Sequence, residues 1–197
     1  LGMTGCMIAT NLPQGELHES RFDALWEAAQ SLGVPVILHP LMEGPAAWMF
    51  ERLPRFRNLY GRLIDSTVTA TQLILAGVFE RFPDLRLVLV HGGGFLPYQT
   101  GRLDREFGTK DAKLPSEYVR ALYYDTAIMS APALSMLFEL VGAGQVMIGS
   151  DYAAGPVERP GPKLTDALDA TGLDPASHRR VLRDTAESLF RTAAHAA

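Results

Sequence analysis

The reading of the fold turns on Val34-Pro35-Val36-Ile37-Leu38-His39. It follows Gly33, a helix-stop residue, and runs into Pro40. A continuous aliphatic run between such breakers is the pattern of a strand buried on both faces, since a half-exposed strand alternates apolar with polar residues. Upstream, residues 19–32 carry Phe22, Leu25, Trp26, Ala29 and Leu32 on one helical face. Ser20 is the expected N-cap of that helix, with Asp23 three positions later. Further upstream, residues 5–10 (Gly-Cys-Met-Ile-Ala-Thr) form a second short apolar run. Strand, helix and strand in this order make a βα unit whose two strands are parallel.

Downstream the pattern recurs. A long connection over residues 40–63 precedes an expected helix at 65–81 and a strand at 86–90 that ends at His91. A glycine loop and a helical stretch near 99–107 lead to a strand at 122–126. A helix at 131–141 and a strand at 146–150 follow, ending at Asp151. The tail, 161–191, reads as helical with a break at Gly172-Leu173-Asp174-Pro175. Buried strands separated by helices signify a parallel sheet covered by helices, an α/β fold. The count is five βα-type units in 197 residues, with no compositional boundary, so residues 1–197 read as a single domain.

Composition narrows the function classes. Hydrophobic residues make up 47% and charged ones 20%, which suits a packed globular domain rather than a disordered chain. Eighteen basic against twenty-two acidic residues, without a basic stripe, argue against nucleic acid or an anionic membrane as partner. No apolar run reaches the ~18 residues of a membrane span. A lone cysteine, Cys6, makes no internal disulfide and suits a reducing, cytoplasmic setting; it reads as a small core residue. The chain opens on Leu1 rather than methionine, so its gene is expected to start elsewhere.

His39, His91 and Asp151 each close an expected strand. In a parallel sheet that places all three at the carboxyl edge, where βα enzymes carry their chemistry. A single histidine there is more often a hydrogen-bonded structural residue, and a single aspartate often caps a helix. Three at equivalent edges are harder to dismiss as structural, and imidazole with carboxylate is a donor set that zinc or manganese accepts. His91-Gly92-Gly93-Gly94 also resembles an esterase oxyanion loop, but no G-x-S-x-G elbow accompanies it. G-x-G-x-x-G is absent too, which removes the dinucleotide reading. The glycines are expected to let the backbone turn tightly and approach a ligand or a neighbouring strand.

Several segments together carry a family resemblance. Val36-Ile37-Leu38-His39-Pro40, Gly77-Val78-Phe79-Glu80-Arg81-Phe82-Pro83-Asp84-Leu85-Arg86 and Val90-His91-Gly92-Gly93-Gly94 resemble the amidohydrolase-2 family, in its aminocarboxymuconate-semialdehyde decarboxylase-like branch. Tyr124-Asp125-Thr126 and Met147-Ile148-Gly149-Ser150-Asp151-Tyr152 belong to the same set. The resemblance implies a metal-dependent (β/α)8 TIM barrel of which this chain covers the carboxyl-terminal part, strands four to eight, as a partial barrel or open sheet. It implies a metal-ligand role for His39, a metal-side and proton-handling role for Asp151, and acid–base or polarising catalysis for His91. Arg102 matches an arginine that recognises a substrate carboxylate, in some relatives across a homodimer interface; read from its own surroundings it is equally a solvated helix residue.

The implied activity is a zinc- or manganese-dependent decarboxylase, a carbon–carbon lyase, acting on a small carboxylated compound. A hydrolase of C–N or C–O bonds is the enzymatic alternative, and a non-catalytic truncated remnant the other. The remnant is motivated by the family's H-x-H motif, which supplies two metal ligands and occurs nowhere in this sequence. Asp184-Thr185-Ala186 also stands where the family has Gly-Asn-Ala. His18, His178 and His195 are expected to be solvated, and Trp48 with Arg52, Arg55 and Arg57 lies in the lid-like connection after His39.

Overall fold

The structure, a computed structural model, describes residues 2–13, 15–41, 44, 47–151 and 164–190. Strand β1 (Cys6–Ala9) is followed by a 3-10 turn, Ser20–Phe22, that runs into α1 (Asp23–Leu32). Strand β2 (Val36–His39) leads through a 3-10 turn to α2 (Pro54–Phe56), a π segment (Arg57–Gly61) and α3 (Arg62–Leu75), joined head to tail. Then come α4 (Val78–Arg81), β3 (Leu87–Leu89), α5 (Thr100–Phe107), α6 (Pro115–Ala121) and β4 (Tyr123–Asp125). Helix α7 (Ala131–Val141), β5 (Val146–Met147), α8 (Leu164–Asp169), α9 (Pro175–Arg179) and α10 (Thr185–Phe190) complete the chain. Among the described residues no helix is long and apolar enough to cross a membrane.

The five strands form one sheet in the order β1-β2-β3-β4-β5, every neighbouring pair parallel. A doubly wound sheet reverses its strand order at a switch point. This sheet does not reverse, so successive crossovers share one sense and bring their helices to one face, as along an arc of a (β/α) barrel. Alternate strand residues confirm two distinct faces. Val36, Leu38, Leu87, Leu89, Tyr124 and Val146 enter the main core with Trp26, Leu73 and Leu137 of the helices. Ile37, Val88, Tyr123 and Met147 point the other way and pack with Ala186, Leu189 and Phe190 of α10. That second face is covered only in part: Met7, in register with Ile37, is 62% exposed.

Differences from the sequence reading have local causes. Ser20 is not an N-cap; it sits inside the 3-10 turn, where Phe22 N–H bonds the Glu19 carbonyl at 3.0 Å. The expected helix at 65–81 is two helices, because Gly77 takes a left-handed φ of +70°. Strand β5 is shorter than its apolar run. Helix α6 was not expected; Glu117 Oε2 accepts from Leu114 N–H at 2.7 Å and fixes its start. The break in the tail is where expected, with Asp174 capping α9 through the N–H groups of Ala176 and Ser177.

The glycine loop after β3 approaches the neighbouring strand as anticipated, since a Cβ on Gly93 would meet the Tyr124 ring of β4 at 2.6 Å, and it also approaches helix α3. Gly92, Gly93 and Gly94 all have positive φ. A Cβ on Gly94 would lie 2.4 Å from the Leu63 carbonyl oxygen of α3. Gly94→Ala combines that backbone clash with a left-handed strain, so we expect a loss of about 3 kcal/mol. For a chain of this length that lowers the melting temperature by roughly 6–12 °C, read by thermal denaturation.

Candidate metal centre

Parallel, in-register strands bring their carboxyl ends to one edge, and the three residues singled out in the sequence meet there. His39 is the last residue of β2, His91 follows β3 by two residues, and Asp151 lies beyond β5. Their ligand-type atoms all lie within 4.8 Å of one another. His91 Nε2 is 3.6 Å from Asp151 Oδ1, and the His39 and His91 rings meet edge-on with centroids 5.6 Å apart.

The electrostatics suit a cation. Burial, then the charges of His91 and Arg62, hold the His39 imidazole below its ordinary pKa, which keeps a ring lone pair free to donate. His91 Nδ1 is buried with no hydrogen-bond partner among the described residues, a state that is costly to leave unrelieved. Two imidazoles and a carboxylate with an orphaned ring nitrogen fit a divalent ion of the zinc or manganese type.

Backbone strain concentrates at the same place. Among the described residues, the non-glycine residues with left-handed backbone are His91 (φ +55°), Met129 (φ +57°) and Asp151 (φ +51°), and all three line one cavity of about 650 Å³. Strain of this kind persists only where surrounding structure over-determines it, and it clusters at functional sites. The cavity's other polar walls are Arg55, Asn58 and Arg62, from the run that leads into α3. Leu59, Leu63, Tyr98 and Ile128 give it apolar surface. Its volume suits a small organic ligand.

Asp125, the last residue of β4, supports this edge. Its Oδ1 accepts from the N–H of Gly92 at 2.9 Å and of Ala127 at 3.1 Å. Burial pushes its carboxyl up from the usual range, and the backbone N–H bonds oppose that rise. Asp125→Ala leaves two N–H groups unpaired beside His91, for an expected loss of about 2–4 kcal/mol in urea unfolding. Asp125→Asn, which keeps an acceptor oxygen, should lose less.

The other sequence candidates are dispersed. Arg102 is exposed on α5 and borders a separate hollow of about 250 Å³ with Thr67, Gln99 and Glu106. His18 is half-buried rather than solvated, and its Nδ1 has no partner among the described residues. His178 is 2.7 Å from Asp169 Oδ1, and His195 lies outside the described residues. Trp48 is 71% exposed, Arg52 is exposed, and Arg57 is half-buried. Cys6 is half-buried against the core, where burial raises its thiol pKa. The sequence reading missed Arg62, Tyr98 and Met129 as cavity residues. No periodic signal pointed to Arg62, because the run that joins it to Arg55 passes through a π segment.

Comparison with known proteins gives a consistent result. The amidohydrolase family model matches residues 1–192. The chain is 28% identical over 162 residues to 2-amino-3-carboxymuconate-6-semialdehyde decarboxylase from Dictyostelium discoideum, covering 77% of this chain and 44% of that protein. It is 29% identical over 182 residues to 6-methylsalicylic acid decarboxylase from Penicillium expansum, covering 88% and 55%. It thus spans about half the length of these curated relatives. Among solved structures, 5-carboxyvanillate decarboxylase from Sphingomonas paucimobilis superposes with a TM-score of 0.86 at 25% identity, over 96% of this chain and 58% of that one. A dihydroxybenzoic acid decarboxylase from Polaromonas sp. JS666, solved with manganese and the inhibitor 2-nitroresorcinol, superposes with a TM-score of 0.78 at 22% identity, over 88% and 55%.

Proposed function

Because the chain belongs to the amidohydrolase family, on the decarboxylase-like branch, we propose that it forms the carboxyl-terminal five βα units of a metal-dependent decarboxylase barrel acting on a small carboxylated aromatic or conjugated compound. The observation that carries this reading is the convergence of His39, His91 and Asp151 beside a strained, partly apolar cavity. In this reading His39 and Asp151 hold a divalent ion, zinc or manganese, which supplies Lewis acidity to a bound oxygen substituent.

The remaining steps belong to the side chains. Loss of carbon dioxide replaces a C–C bond by a C–H bond, so the site must deliver a proton to the carbon left behind. Asp151 Oδ1 and His91 Nε2, 3.6 Å apart, are the groups positioned to hold that proton and to pass it on. Leu63, Tyr98 and Ile128 give the cavity apolar surface that would pack against a ring and exclude water. Arg102 lines a separate hollow and is not among the residues that line this cavity, so a role in carboxylate recognition would be played at the cavity of a second copy.

A non-catalytic open sheet is the second reading. Its supporting observation is that α10 gives the sheet a small second core, burying Val88 and Met147 with Leu189. Assay of manganese- and zinc-loaded protein for carbon dioxide release from 6-methylsalicylate, 5-carboxyvanillate and 2,6-dihydroxybenzoate separates the two. Metal-dependent release is the expected result. Stoichiometric metal without release from any carboxylate in a broader panel would sink the decarboxylase reading and leave hydrolysis of C–N or C–O bonds as its enzymatic alternative. Absence of any bound metal would favour the non-catalytic sheet.

A further inference from the structure

The geometry points to Arg62, with Arg55 at its side, as the anion-binding wall of the cavity: the two guanidinium groups receive the carboxylate of a small planar ligand. This assignment deepens the proposed function and rests on it for the identity of the site, but not for its test.

Three observations carry it. First, both arginines line the same cavity as His91 and Asp151. They are seven residues apart on the continuous run of Pro54–Phe56, Arg57–Gly61 and Arg62–Leu75, with Asn58 and Leu59 between them on the same wall. Second, these cations have no ion-pair partner among the described residues. Arg62 Nε is buried with no hydrogen-bond partner among them either. Asp151 is the sole acid on the described cavity walls, and it faces His91. A buried, unsatisfied guanidinium donor is costly, and a ligand carboxylate relieves it with a fork of charge-assisted bonds. Third, the backbone next to Arg62 abuts the loop that follows His91, since a Cβ on Gly94 would lie 2.4 Å from the Leu63 carbonyl oxygen. An anion held by Arg62 therefore sits next to the metal group, not at a remote patch. The neighbouring Leu59, Leu63, Tyr98 and Ile128 match a flat hydrocarbon body rather than a phosphate or sulfate.

The probe is salicylate, with salicylamide as its uncharged counterpart, titrated calorimetrically into the protein both stripped with EDTA and loaded with manganese. Salicylate should bind in both states, and salicylamide about 10-fold or more weaker, because a charge-assisted bond is worth roughly twice a neutral one. Arg62→Met should weaken salicylate about 10–100-fold, with Arg55→Met showing a smaller loss. Arg62→Lys should recover part of the affinity, since lysine keeps the charge but not the fork. Arg105→Met, on the exposed outside of α5, should change nothing. Far-ultraviolet circular dichroism identifies any variant that fails to fold, and the exposed Arg55 supplies a variant with little structural cost.

Equal affinity for salicylate and salicylamide would overturn the assignment. So would unchanged binding in both Arg62→Met and Arg55→Met, a loss carried by Arg102→Met instead, or no saturation by salicylate in the parent protein. Because the stripped protein is measured too, failure of metal-dependent turnover and failure of anion binding are separate results.

Discussion

His39→Ala is expected to release the divalent ion, lowering manganese or zinc affinity by more than about 100-fold. Loss of a group that merely orients a ligand already costs 10–100-fold in affinity, and removing the ligand itself must exceed that. The geometry explains why no neighbour substitutes. His39 ends β2 and is fixed on both sides: its carbonyl accepts from Thr10 N–H at 3.1 Å, and its strand pairs with β1 and β3. His18, His178 and Cys6 are absent from the group of ligand atoms that converge with it. Elemental analysis after dialysis, with a competing chelator to set the affinity scale, reads the effect. Retention of stoichiometric metal by His39→Ala would remove this residue from the site. The substitution should leave the fold intact, because His39 is half-buried at a strand end and the main core lies among Val36, Leu38 and the helices.

The residues that make this edge were legible in the sequence for a simple physical reason. A strand buried on both faces must be apolar throughout, so Val36 to Leu38 and Leu87 to Leu89 stand out, and a polar residue at the end of such a run marks the carboxyl edge. Parallel pairing in sequence order then brings those ends together without further information. What stayed hidden depended on packing rather than pattern. Arg62 follows a run that begins with Pro54 and contains a π segment, so the regular 3.6 period that would have tied it to Arg55 is lost. Helix α6 is seven residues long and owes its place to tertiary contacts, with Tyr118 stacked on Phe79 at 6.1 Å and its hydroxyl donating to Glu80 Oε1 at 2.5 Å. Asp125 was visible only as part of a motif, because its work is to accept N–H groups from a loop 33 residues away in the chain.

His91→Ala tests the chemistry independently of metal retention. If His91 serves the proposed proton transfer rather than holding the ion, its loss should cut turnover of a responsive aromatic carboxylate by about 10²–10⁴-fold, the usual weight of a positioned acid–base group. Metal content and salicylate affinity should change far less than they do in His39→Ala and Arg62→Met. The structure gives a reason to expect this division. The His91 side chain is only 12% exposed, has a left-handed backbone set by the glycines that follow it, and turns Nε2 to Asp151. A residue held at that conformational cost is being aimed. His91→Gln, which keeps a polar side chain but cannot act as a proton donor and acceptor near neutrality, should be about as slow as alanine. Turnover that survives either change would exclude His91 from the proton path and leave Asp151 to carry it. Loss of metal in parallel with turnover would instead make His91 a third ligand, a role its distance from His39 and Asp151 also permits.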